Sequence, residues 1–163
     1  AVREENPIPV LGIDSPTIHT DIKSLSRYDS VLIDGAPTVE AMSASAIKAA
    51  NLAIIPVQPS PLDIWATADL VDMVKQRIEI TDGKLEAAFL VSRCVANTKI
   101  GKEISGILTG YELPVLNTNV PQYTDYSTCI AAGKTIIEHA PKSKAALVAL
   151  ELANEIVTTY INK

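Results

Sequence analysis

Residues 27–37 read "RYDSVLIDGAP". Val31, Leu32 and Ile33 form an unbroken apolar run, and Asp34-Gly35 ends it. Such a run, bounded by turn residues, predicts a strand buried on both faces, as in a parallel sheet. The Asp-Gly pair is also an ordinary turn signal, so two readings stay open from these residues. In the first, a buried strand simply stops at a turn. In the second, Asp34 holds a water on Mg²⁺ and the Gly35 amide faces a phosphate, the Walker B half of a nucleotide site.

Outward from that stretch, strands and helices alternate. Short apolar strands are predicted at 7–13, 30–35, 52–59, 87–93 and 114–120. Helices are predicted at 19–26, 39–50, 62–78 and 100–111. A last helix carries Ala146, Ala149, Leu150, Ala153, Val157, Tyr160 and Ile161 on one face. Alternation of this kind predicts right-handed βαβ units and a mostly parallel sheet, hence an α/β fold in one domain over residues 1–163. In such sheets ligands bind beyond the carboxyl ends of the strands. The predicted ends are Asp34-Gly35, Gln58-Pro59-Ser60, Ser92-Arg93 and Val120-Pro121-Gln122.

Composition excludes several classes. With 47% hydrophobic and 20% charged residues, the 163-residue chain has material for a full core and is not a disordered one. Only 4% of it is aromatic, which favours aliphatic layers. A net charge of -5 gives no global basic field for nucleic acid. Cys94 and Cys129 lack metal-site spacing and predict reduced, cytoplasmic thiols. No apolar run reaches a membrane span. His19 and His139 have no paired nucleophile, so a Ser/His/Asp or Cys/His hydrolase is unsupported. Trp65, the only tryptophan, is expected in the core.

A Walker B strand needs a P-loop, G-x-x-x-x-G-K-[ST] between a strand and a helix, whose backbone amides wrap the phosphates. "GKT" occurs at Gly133-Lys134-Thr135, but the position five before Gly133 is Thr128 and no clear strand precedes it. We therefore read it as a decoy, with Gly133 closing a short helix and Lys134 exposed.

Taken together, "YDSVLIDGAP", "NLAIIPVQPSPLDIWAT", "FLVSR" and "NVPQYTDYSTCIAAGKTIIEHAPKSKAALVALELANEIV" resemble the ParA-type plasmid partition ATPases of the MinD/ParA deviant-Walker group. The likeness runs from about residue 20 to the end and is nearest the small ParF-like members. It implies a P-loop NTPase-like three-layer fold. It implies an ATP- and Mg²⁺-dependent dimer or polymer that positions DNA in the bacterial cytoplasm, associated with the nucleoid. The partners implied are a second copy, a centromere-binding ParB/ParG-like adaptor and nonspecific DNA. Asp34 matches the Mg²⁺ ligand acting through water, and Gly35, Ala36 and Pro37 match the switch that senses the γ-phosphate. Ser92, Arg93, Val120, Pro121 and Gln122 match strand ends near the adenine. Lys99, Lys102 and Lys134 are DNA-surface candidates.

The family's P-loop and its first strand have no counterpart in this sequence. The expectation is thus a C-terminal portion of a ParA-like ATPase domain that binds no nucleotide alone and can repair its sheet by pairing with another copy. A naturally truncated, non-enzymatic binding module is the alternative. An unrelated flavodoxin-like domain is a third reading, without support in the residues.

Overall fold

The computed structural model describes residues 8–35, 40–95, 104 and 106–162. The chain divides into two compact units: Ala1–Pro9 with Ile54–Thr67 and Ala88–Lys163, and Val10–Ala53 with Ala68–Ala87. The fold is α/β, with an open, all-parallel, three-stranded sheet of order β1-β2-β3. Strands β1 (Leu52–Val57) and β2 (Glu86–Cys94) each begin in the second unit and continue in the first. Strand β3 is only Val120–Pro121.

In the first unit β2 is the central strand. Ala88, Phe89 and Val91 are each 0% exposed, the continuous apolar run expected of a parallel strand covered on both faces. Phe89 meets Tyr111 edge-on at 5.9 Å, and the Tyr111 hydroxyl donates to the Ile64 carbonyl at 3.4 Å. Ile64 itself is buried in helix α3 (Pro61–Ala66), which starts with proline at its first position, where no amide is needed. Helices α5 (Thr124–Ala131), α6 (Ile136–His139) and α7 (Lys144–Ile156) follow β3. Cys129, Ile136, Ala145 and Ala146 form their shared core. The Ser143 hydroxyl caps α7 by accepting from the Ala146 amide at 3.1 Å.

In the second unit, helix α1 (Ile18–Asp21) runs into a 3₁₀ turn (Ile22–Leu25) and is held against α2 (Glu40–Ala49). Buried Ser45 accepts from the His19 amide at 3.3 Å and bonds its ring Nδ1 at 2.8 Å, so the hydroxyl is satisfied. Helix α4 (Ala68–Ile80) buries Val71 and Val74. The Arg77 guanidinium donates to the Lys48 carbonyl at the end of α2 at 3.4 Å.

The structure corrects five expectations. Residues 30–35 form no strand: Leu32 is 97% exposed, Val31 41%, and the segment has no ladder partner among the described residues. An apolar run becomes a strand only where a neighbour supplies the ladder, and none of the described residues does so here. The described part of 7–13 is likewise irregular, with Ile8, Val10 and Leu11 exposed. The helix expected over 62–78 is two helices, broken at Thr67, whose hydroxyl donates to the Ile64 carbonyl at 2.7 Å instead of solvent. The strand expected at 114–120 contracts to β3 and one isolated parallel bridge, Phe89 to Val115. Trp65 is 67% exposed, because the inward position of its short helix goes to Ile64. Of the helix expected over 100–111, Ile104 and 106–108 are helical, followed by a 3₁₀ turn at Thr109–Tyr111. Residues 100–103 lie outside the described residues.

Candidate functional site

The carboxyl ends of the strands in the first unit form a polar rim, as the fold class requires. Ser92 pairs with Val120 and Cys94 with Pro121, and a bulge lies between the two pairs. Arg93 is the bulged residue. Its φ is +51°, in the left-handed region that non-glycine residues avoid, and its side chain is exposed. Bulges of this kind re-aim a side chain and are frequent beside functional sites. Two further bonds fix the rim: the Gln122 amide donates to the Cys94 carbonyl at 3.1 Å, and the Ser92 hydroxyl donates to the Val57 carbonyl at 3.5 Å. At the end of β1 the Ser60 amide turns back onto the Gln58 carbonyl at 2.7 Å. Ser92, Arg93, Val120, Pro121 and Gln122, matched to one place by sequence, are thus neighbours in space.

Burial pushes the Cys94 thiol up, against a weaker opposing backbone hydrogen bond, so it stays protonated at neutral pH and supplies no nucleophile. The rim therefore offers hydrogen bonds and one guanidinium, suited to binding an anionic or planar polar ligand rather than to covalent chemistry.

The other sequence candidates are placed differently. Asp34 and Gly35 belong to the second unit and are exposed on the unpaired segment. A Cβ built on Gly35 would meet nothing within 4 Å, so no close backbone approach calls for glycine there. Ala36, Pro37, Lys99 and Lys102 lie outside the described residues. Lys134 is exposed.

The Gly133-Lys134-Thr135 stretch is a helix connection, not a phosphate loop. Gly133 has φ +64° and its amide donates to the Ile130 carbonyl at 2.9 Å, while the Lys134 amide donates to Cys129 at 2.9 Å. This double bond pattern with a left-handed glycine is a Schellman end to α5. Thr135 then starts α6 with a capping box. Its hydroxyl and its amide both donate to Glu138 Oε2 at 2.8 Å, and the Glu138 amide donates back at 3.3 Å. A P-loop threonine must offer that hydroxyl to Mg²⁺, and this one is engaged. These three residues are therefore built as a helix end and a helix start rather than as a Mg²⁺-ATP loop. Among the described residues no group of three or more His, Cys, Asp or Glu could hold a metal.

Two features escaped sequence reasoning. The first is the Arg93 bulge, because a left-handed arginine leaves no compositional trace. The second is an open recess of about 370 Å³ before β3, lined by Thr109, Pro114, Val115, Asn117 and Asn119 among others. It contains no titratable side chain and lies off the rim. No helix among the described residues is long and apolar enough to cross a membrane.

No protein-family model matches the chain. Among curated proteins it is similar to the maintenance of carboxysome distribution protein A of Halothiobacillus neapolitanus, 25% identical over 92% of this chain and 70% of that protein. It is 29% identical to the sporulation initiation inhibitor protein Soj of Bacillus subtilis, over 80% of this chain and 52% of Soj. It is 28% identical to the chromosome partitioning protein ParA of Myxococcus xanthus, over 81% of this chain and 47% of ParA. The chain spans about half the length of the last two. Likeness to such proteins over most of its residues, on an α/β parallel-sheet framework, makes this chain a distant relative of the ParA-type partition ATPases.

Proposed function

We propose that this chain serves ParA-type partition, the positioning of DNA or another large cargo within a cell, as a binding component without nucleotide chemistry of its own. The observation that carries it is the similarity, over 81–92% of the chain, to proteins named for chromosome partitioning and carboxysome distribution. In a complete ATPase of this type, Asp34 would act on Mg²⁺ through water, and Gly35, Ala36 and Pro37 would sense the γ-phosphate. Ser92, Arg93, Val120, Pro121 and Gln122 would line the adenine side. Lys99, Lys102 and Lys134 would face DNA, and an adaptor of the ParB/ParG kind would stimulate hydrolysis. ParF-like self-association belongs to the same reading.

The engaged Thr135 hydroxyl and the exposed, unpaired Asp34 segment favour the non-enzymatic form of the proposal. Two measurements test it. Calorimetric titration of the 163-residue chain at about 50 µM with Mg²⁺-ATP is expected to give no binding heat. Saturable binding would overturn the non-enzymatic form. Deleting the coding sequence in its host is expected to randomise the distribution of plasmid or other cargo at division. Unchanged inheritance and positioning would overturn the partition reading.

A further inference from the structure

Two Asp-Gly pairs stand in this sequence, Asp34-Gly35 and Asp82-Gly83, and the fold treats their backbones differently. All four residues are exposed, and a Cβ built on either glycine would meet nothing within 4 Å. Exposure and crowding therefore do not separate the pairs. Hydrogen bonding does. Asp82 and Gly83 close the end of α4 with left-handed φ values of +50° and +74°. The Asp82 amide donates to the Glu79 carbonyl at 3.2 Å, the Gly83 amide to Ile78 at 3.0 Å and the Lys84 amide to Thr81 at 3.2 Å. The peptide joining Asp82 to Gly83 is thus held at three successive amides. On the segment 30–35, neither the Asp34 amide nor the Gly35 amide donates to any described residue.

We propose that Asp34-Gly35 is a site of spontaneous covalent modification, turning from aspartate to isoaspartate in the folded chain, while the helix end protects Asp82-Gly83. In the first step the Gly35 nitrogen attacks Asp34 Cγ. A C–N bond forms, the Cγ–OH bond breaks, and the hydroxyl leaves with the amide hydrogen as water. Water then opens the resulting cyclic imide at one of its two carbonyls. Opening at Cγ restores aspartate. Opening at the main-chain carbonyl leaves the chain running through Cβ and Cγ, with the α-carboxylate as the side group. The water lost in the first step is regained in the second, so the net change is an isomerisation. Two requirements decide the rate. The attacking nitrogen must be uncrowded, which glycine supplies at both pairs. Its peptide must also rotate toward the side chain, giving up whatever hydrogen bond its N–H makes. At Gly83 that means breaking the bond to Ile78 and leaving the left-handed turn. At Gly35 no described residue holds the amide back. The difference corresponds to about tenfold in rate. The product carries an α-carboxylate, the group that isoaspartate-repair methyltransferases esterify with the methyl of S-adenosylmethionine, so the aged chain becomes a substrate for an enzyme of that class.

The folded 163-residue chain is aged at neutral pH and digested with trypsin, which yields peptides 28–48 and 78–84 around the two pairs. Isoaspartate in each is read by isomer-resolving chromatography with mass spectrometry, and by methyl transfer from S-adenosylmethionine with a repair methyltransferase. Peptide 28–48 is expected to accumulate about tenfold more than 78–84. Asp34→Glu keeps the charge but makes ring closure slow, and Gly35→Ala crowds the nitrogen while its methyl enters open space. Both are expected to remove the excess in 28–48, with unchanged far-UV circular dichroism. If one variant misfolds, the other reads the site. Asp29, the other aspartate in that peptide, is read by what remains in Asp34→Glu. In urea the two wild-type pairs are expected to react at equal rates, since no turn then holds either. Equal accumulation in the folded chain, an excess in 28–48 that persists in Asp34→Glu, or a tenfold gap that survives in urea overturns the proposal.

Discussion

Glu155 directs its carboxylate onto the residues that lead into β3. Oε1 accepts from the Asn117 amide at 2.6 Å and from Asn117 Nδ2 at 3.0 Å, and Oε2 accepts from the Thr118 amide at 2.8 Å. Burial pushes the Glu155 carboxyl up, but the hydrogen bonds from Thr118 and Asn117 outweigh it and hold the group below the usual carboxylate range. The folded value thus lies below the unfolded one. The stabilisation is fully present above the unfolded carboxylate range and is lost as pH falls through the folded value. Solvent reaches this group, so the contribution is discounted to about 1 kcal/mol. Glu155→Gln is therefore expected to lower Tm by about 2–4 °C at neutral pH. The difference should shrink as the buffer is taken toward about pH 3, as followed by thermal melts across the range. At the same scale, the residue types announced less than their settings. Arginine at position 93 reads as surface charge, and only the pairing of Ser92 and Cys94 on either side makes it the left-handed bulge of the rim.

Among the elements, the connection between α5 and α6 separates two meanings of "GKT". In a phosphate loop the lysine and threonine carry the function and the glycine opens room for a ligand. Here the glycine ends a helix and the threonine begins the next. Gly133→Ala is expected to cost about 1 kcal/mol, or about 2–4 °C in Tm, because alanine strains at φ +64°. Lys134→Ala is expected to leave stability within about 0.5 kcal/mol, since its side chain is exposed. Both are read by the same melts, and a large effect at Lys134 with none at Gly133 would reverse the assignment. The decoy was legible in sequence because the spacing to any earlier glycine was wrong. The break at Thr67 was not, because apolar spacing continues across it and only the hydroxyl bond to the Ile64 carbonyl marks the interruption.

For the molecule as a whole, the decisive fact is which apolar runs find partners. The run 87–93 became the buried centre of the sheet, while 31–33, equally apolar, stayed outside it. Leu32→Ser is accordingly expected to change stability by less than about 0.5 kcal/mol, against the roughly 1.5–3 kcal/mol that a fully buried leucine contributes. Denaturant unfolding measures the difference, and a large loss would return that run to a buried strand. The sequence by itself determined the α/β class, the order of most elements and the helix connection at Gly133-Lys134-Thr135. These depend on local period, turn chemistry and motif spacing, all of which are written along the chain. Tertiary structure alone decided that residues 30–35 find no ladder among the described residues, that Trp65 is exposed, that Arg93 bulges, and that the last helix keeps exposed apolar residues. Each depends on whether a distant segment comes near enough to supply hydrogen bonds or cover a surface, and hydrophobicity read along a chain carries no record of that distance.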